Sequence, residues 1–224
     1  MESRPPRARI LALSVVVVAT SGMVYELGLA TLASYILGNA VMQFSLTLGV
    51  YLSAMGAGTL ASGFMTGGLT RRFILVESLV AVVGGSSAAL LFFASTRSGL
   101  FRPLFYGEVF SVGALVGVEL PLLLRLLKEE LGFDESVVRA MTFDYAGSLV
   151  ASLLFPLVLM PALGLVRTAA LAGVVNAAVA WFGARLLSGT TRRAWWVSGV
   201  PVAAGALLSV LFVYGDAVVR LTAD

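Results

Sequence analysis

Three carboxylates, Glu26, Glu119 and Asp144, lie inside long apolar stretches of the chain. Glu119 opens the run Glu119-Leu120-Pro121 near the end of one stretch. Asp144 sits a turn or two inside the next. Between them runs a short polar connection holding Glu129, Glu130, Asp134 and Glu135, bordered by Arg125 and Lys128. A charged side chain in lipid is expensive, so it usually faces the interior of a bundle and has a partner or a task. Three tasks fit a carboxylate there: holding a proton, attracting a cation, or pairing with a base such as Arg125. Asn176 adds a neutral polar group in a later apolar stretch. The candidate intramembrane polar site is therefore Glu26, Glu119, Asp144, Arg125 and Asn176. Glu119 and Asp144, at similar depth on consecutive antiparallel helices, are expected to share a proton or a cation, or to be bridged by Arg125. Glu77 and Glu108 lie nearer to the ends of their stretches, where pairing with arginine or reaching for water is the expected role.

The chain contains no cysteine and no histidine. Thiolate chemistry, disulfides and the usual zinc, haem and iron–sulfur ligand sets are thereby excluded. Proton chemistry would fall to Glu or Asp, the commonest general base being absent. No phosphate-binding loop, dinucleotide fingerprint or nucleophile elbow is present. The expectation is no catalytic residue, no cofactor and no metal site.

The elements that must position these residues follow from composition. The 224 residues are 59% hydrophobic and 12% charged, with a mean hydropathy of +0.98. Soluble domains average about a quarter charged residues, so this chain reads as an all-α, polytopic membrane helix bundle. Its pI near 9.6 does not indicate nucleic acid, because the basic residues are scattered over short loops. A span needs roughly 20 apolar residues. On that criterion six to seven transmembrane helices are expected, at about 9–36, 42–67, 73–95, 103–127, 138–160, 164–187 and 195–215. This divides the chain into a basic N-terminus (1–8), a six-helix bundle (9–193) and a segment (194–224) holding a seventh helix weakened by Pro201 and a short tail.

Gly38-Asn39, Gly67-Gly68, Ser98-Gly99 with Pro103, and Pro161 with Gly164 punctuate the spans. Pro156 is expected to kink its helix and free a carbonyl that a neighbour must satisfy. Arg4, Arg7, Arg9, Arg71, Arg72, Arg125, Lys128, Arg139, Arg185, Arg192 and Arg193 fall on one side of the membrane; Arg97, Arg102, Arg167 and Arg220 fall on the other. This division of the 15 basic residues, 11 against 4, predicts a cytoplasmic N-terminus in the cell (inner) membrane.

Small residues spaced by four, as in Gly49-Ser53-Ala57-Ala61, predict a face for close helix packing, a device repeated by Gly113 and Gly117. Glu26-Leu27 and Glu119-Leu120 occupy matching places in spans one and four. Ala57-Gly58-Thr59-Leu60 in span two resembles Ala146-Gly147-Ser148-Leu149 in span five. These matches suggest a 3+3 inverted repeat of the kind that builds half of a major facilitator transporter. Arg71-Arg72 after span two weakly resembles that family's loop between helices two and three, without its usual Asp.

Several stretches together carry a family resemblance. They are Tyr25-Glu26-Leu27 with Leu29 to Tyr35, Gln43-Phe44-Ser45-Leu46, Met55-Gly56-Ala57-Gly58, Glu119-Leu120-Pro121-Leu122-Leu123, Asp144 to Leu149 leading to Leu154-Phe155-Pro156-Leu157, and Pro161 to Asn176. In order and spacing, from about Val24 to Ala180, these resemble the N-terminal membrane region of membrane-bound spermidine synthase-like proteins, which are polyamine aminopropyltransferases fused to a multi-span bundle. The resemblance implies a following soluble domain that takes decarboxylated S-adenosylmethionine and a diamine such as putrescine. That domain's nucleotide loop and acidic residues have no counterpart here, so no catalytic residue carries over. The implied chain lacks the catalytic domain and is not an enzyme by itself. Glu26, Glu119 and Asp144 fall within the matching motifs.

Three functions follow as alternatives. The chain anchors, partners or supplies substrate to polyamine-related chemistry. It is a half-transporter moving a small cation or metabolite past Glu26, Glu119 and Asp144. Or it is a structural partner in a membrane assembly. The expected partners are the lipid bilayer, a second copy in a homodimer, and a separate aminopropyltransferase domain or another membrane protein.

Overall fold

The computed structural model describes residues 6–97, 99–187 and 195–221. The described residues form an all-α bundle: α1 (Pro6–Leu37), α2 (Ala40–Gly63), α3 (Leu69–Ser95), α4 (Phe101–Leu131), α5 (Phe133–Leu154), α6 (Met160–Leu187) and α7 (Trp195–Leu221). A π-helical segment, Phe155–Leu159, joins α5 to α6. The tip of the N-terminus, 1–5, and the connection 188–194 lie outside the described residues. Helices of this length and apolarity make the protein a multi-pass membrane protein. Six stretches qualify as candidate spans, and one of them, Phe133–Arg185, runs for 53 residues.

At 1.5 Å per residue that stretch would reach about 80 Å, far more than one bilayer crossing. Gly164 breaks it: with φ 72° and ψ 176° its backbone leaves the helix, a conformation that glycine adopts without steric penalty. The chain turns back there, and the Thr168 hydroxyl donates to Leu159 O across the turn at 3.2 Å. The expected fifth and sixth spans thus lie within one apolar run, joined through the π-helical segment, and each packs on other helices, α5 on α1 and α6 on α3.

The helices are long because nothing polar interrupts them and each backbone group must be satisfied within its own segment in lipid. Where proline removes an N–H, a neighbour intervenes. Pro121 lies inside α4, so the carbonyl of Gly117, four residues earlier, loses its helical donor. The Thr59 hydroxyl of α2 donates to Gly117 O at 3.0 Å. Pro156 acts differently: it stands at the start of the π-helical segment, in which Met160 N–H donates to Phe155 O.

α1, α3 and α4 are buried over most of their circumference, while α2, α5 and α7 keep wide apolar faces outward. Leu52 and Leu60 of α2, Leu149 and Leu153 of α5 and Leu207 of α7 are exposed in the bundle, as lipid-facing residues of a membrane protein are. The core joins Leu11, Val15 and Leu29 of α1 to Phe73 and Val80 of α3 and to Phe105, Val112 and Leu122 of α4.

The helix pairing is regular. α2 packs most extensively on α4, α1 on α5, and α3 on α6. Exchanging α1–α3 for α4–α6 maps the first pairing onto the second and the third onto itself. At the first two pairings glycine sits against the opposing backbone. A side chain at Gly58 would strike Ala114 O, and one at Gly147 would strike Val16 O. The small-residue face that the sequence suggested on α2 is not this one. Gly49 and Gly56 have no neighbour within 4 Å, and the buried face of α2 is Gln43, Thr47, Tyr51, Ala54, Gly58 and Ser62. Spacings of four occur on both faces of α2, and the outward one meets nothing else in this chain.

Candidate functional site

The geometry of the site begins with the α3–α4 hairpin. Glu77 precedes the end of α3 at Ser95 by 18 residues (95 − 77), and Glu119 follows the start of α4 at Phe101 by 18 residues (119 − 101). In an antiparallel hairpin equal counts give equal depth, about 27 Å from the turn at 1.5 Å per residue. Both acids are fully buried, at 0% exposure, and each lies within Coulombic reach of the other. Neither oxygen of Glu77 nor of Glu119 has a hydrogen-bond partner among the described residues.

α1 and α2 contribute two tyrosines to the same place. Tyr25 is buried, and its ring lies against α3 at Gly84, where an added side chain would come within 2.7 Å of it. Its hydroxyl lies within Coulombic reach of Glu119 and Glu77 and makes no hydrogen bond among the described residues. The Tyr51 hydroxyl donates to Gly22 O of α1 at 3.0 Å. It stands within reach of both Glu26 and Glu119. Glu26 is itself buried, at 7% exposure.

Of the five residues read from the sequence, the structure brings Glu26 and Glu119 to one neighbourhood, around Tyr51. Asn176 is fully buried on α6, with neither side-chain atom hydrogen-bonded among the described residues. Asp144 is only half-buried on α5. The acid found beside Glu119 is Glu77, in place of the expected Asp144. Depth did not decide this, since Glu119 and Asp144 also lie at similar distances from their own loop. Helix rotation did: α5 turns Gly147 onto α1, so its inner face addresses α1 rather than Glu119. Arg125 likewise does not bridge the two acids. Its guanidinium donates to Met65 O, just past the end of α2, at 3.2 Å.

Glu77 is the residue that sequence reasoning placed elsewhere. With a span expected at 73–95, Glu77 falls near its start and within reach of the surface; α3 instead begins at Leu69, eight residues earlier (77 − 69). Eight residues are about 12 Å, and α3 is enclosed by α4, α6 and α7, so no outward path remains. The missed signal was the equal count on either side of the α3–α4 turn.

The arrangement is thus a buried interior cluster of three carboxyls and two phenols, drawn from α1, α2, α3 and α4. It can hold a proton or a small cation. No group of three or more potential ligands suited to a metal ion occurs among the described residues.

The chain is related in sequence to polyamine aminopropyltransferases. It is 39% identical over 206 residues to the polyamine aminopropyltransferase of Leptospira interrogans, covering 92% of this chain and 41% of that protein. It is 48% identical over 174 residues to polyamine aminopropyltransferase 2 of Ralstonia nicotianae, covering 76% of this chain and 34% of that one. Against polyamine aminopropyltransferase 2 of Streptomyces coelicolor it is 42% identical over 210 residues, 87% of this chain and 37% of the relative. The chain therefore spans well under half the length of these curated relatives. No family model matches it. No solved structure matches it.

Proposed function

We propose that this chain is a membrane domain serving polyamine-related chemistry: it holds an aminopropyltransferase activity at the bilayer or delivers substrate to it, without carrying out the transfer itself. One observation carries this reading. Identity of 39–48% extends over 76–92% of the chain, yet spans 34–41% of the relatives. What is shared is therefore the apolar bundle, in which an aminopropyl donor would find no glycine-rich loop to hold it. The bundle corresponds on this reading to the N-terminal membrane region of such proteins. It lies in the inner membrane with the N-terminus cytoplasmic, 9–193 forming the six-helix part and 194–224 the seventh helix and tail. The transferase domain is a separate partner or a further part of a longer protein.

The test uses the chain in lipid nanodiscs, mixed with a soluble aminopropyltransferase. The expected result is retention of the enzyme on the nanodiscs, with spermidine formed from putrescine and decarboxylated S-adenosylmethionine only when the enzyme is present. Turnover by the chain alone, or no retention of any aminopropyltransferase, overturns the reading.

A second reading is favoured by the buried acids and by the exchange symmetry of the helix pairing. It makes the chain a half-transporter, working as a homodimer, that moves a small cation past Glu26, Glu119, Asp144 and Asn176, with Arg125 at the inner edge. Uptake of putrescine into reconstituted vesicles, abolished by Glu119→Gln, would select it over the first.

A further inference from the structure

We propose that Glu77 and Glu119 form a proton-binding site in the centre of the bundle, one proton being held between the two carboxyl groups with the Tyr25 hydroxyl as third member. Both acids are fully buried at equal depth on the α3–α4 hairpin, within Coulombic reach of each other, and none of their four oxygens has a donor among the described residues. Two neighbouring carboxylates enclosed with no base or donor among the described residues cannot both stay charged. Something cationic must sit between them.

The surroundings select a proton. A divalent cation asks for about six or more oxygen ligands, and this place offers two carboxyls and a phenol. Arginine is engaged elsewhere, Arg125 at Met65 O and Arg72 at Thr66 O and Gly67 O. The groups facing the pair are Tyr25 from α1, Tyr51 from α2 and, beyond Tyr51, Glu26. From α6, which packs on α3, the buried polar side chains are Thr168 and the neutral Asn176. The charged side chains described on α7, Asp216 and Arg220, lie in its last turns at the end remote from Glu77. On α5 and α6, Arg139 pairs with Glu135, Arg185 stacks on Trp181 and Arg167 pairs with Asp216, and no basic side chain among the described residues is within Coulombic reach of the pair.

The Tyr25 hydroxyl gives the independent indication. It is buried at 1% exposure, makes no other hydrogen bond among the described residues, and stands within reach of both acids. A phenol donates to an anionic carboxyl pair, so a proton-sharing pair carrying one negative charge accounts for all three unsatisfied groups at once. The reading holds whichever function the bundle serves.

The experiment is infrared difference spectroscopy on the full chain in nanodiscs with 13C-carboxyl glutamate. At neutral pH the chain is expected to show a protonated carboxyl stretch that shifts in heavy water. Glu77→Gln and Glu119→Gln should each remove it. Tyr25→Phe keeps the ring on Gly84 and should shift the band without abolishing it. Glu26→Gln and Glu108→Gln should leave it in place. The proposal is overturned if the parent chain shows no protonated carboxyl at neutral pH, a measurement that needs no variant to fold. It is also overturned if the band survives both Glu77→Gln and Glu119→Gln, or if it appears only after alkali-metal salts are removed, which would identify a bound metal ion.

Discussion

Thr59 on α2 donates its hydroxyl to the carbonyl of Gly117 on α4, and that carbonyl is the one Pro121 leaves without a helical donor. The proline's cost on one helix is met by a side chain of another. The same place is where the two backbones come closest, since a side chain at Gly117 would strike Met55 O and one at Gly58 would strike Ala114 O. A defect, a hydrogen bond and two glycines thus fix how α2 lies on α4. They also fix where Tyr51 projects toward Glu119.

Thr59→Val is expected to destabilise the bundle by about 1 kcal/mol, within the range of interhelical hydrogen bonds in membranes. Thr59→Ser should restore most of the loss. Unfolding in detergent mixtures measures both. Equal stability of all three proteins would show that the Gly117 carbonyl finds another donor.

Gly117→Leu should cost more, about 1–3 kcal/mol or loss of the folded state, because the added atoms meet backbone rather than a movable side chain. Gly56→Leu lies on the same helix as Gly58 but has open space around it, and should leave unfolding unchanged. If Gly56→Leu were the more damaging of the two, the outward assignment of that face would be wrong.

Gly56 and Gly58 also mark the limit of what the sequence discloses. Span existence and depth were readable, because about 20 apolar residues between glycine or proline breaks leave few alternatives. The expected 103–127 span lies within Phe101–Leu131, and the Gly38-Asn39 turn appears with both residues at positive φ. Glu77 lies as far from the α3–α4 turn as Glu119 does, yet its place near the start of its span pointed to the surface. Which way each helix faces was not readable. In a soluble helix polarity marks the outer face, but lipid is as apolar as the core, so the inward and outward stripes of α2 look alike. Asp144 was paired with Glu119 on depth alone, and the rotation of α5 onto α1 separates them.

Removing the side chain at Glu77 should separate shape from charge. Glu77→Gln keeps the volume and offers Glu119 an amide donor, so stability should change by less than about 1 kcal/mol. Glu77→Ala opens a cavity in an enclosed helix and should cost about 2–3 kcal/mol. A Glu77→Gln variant as unstable as Glu77→Ala would mean that Glu77 is ionised and held by a counter-charge, for which an uncharged amide cannot substitute.

Orientation is the last prediction, and two ends of the bundle can be told apart before any label is used. The Arg7 guanidinium lies 3.9 Å from the Glu130 carboxylate, so the start of α1 and the end of α4 share one face. Arg71, Arg72, Lys128 and Arg139 flank helix ends on that face. Arg97, Arg102, Arg167 and Arg220 flank the opposite one, where Arg167 pairs with Asp216 at 2.8 Å. The excess of basic residues near short connections should keep the Arg7 face in the cytoplasm. Single cysteines at Asp134 and Thr96, in a chain that has no other cysteine, report this directly. An impermeant thiol reagent applied to intact cells should label Thr96→Cys and spare Asp134→Cys until the membrane is opened. The reverse pattern would invert the bundle. With seven crossings, Leu221 then emerges opposite the N-terminus, so a partner docking at that end would work outside the cytoplasm. A reagent that spares a cysteine at Arg220 as well would mean that α7 does not cross, and would return a C-terminal partner to the cytoplasmic side.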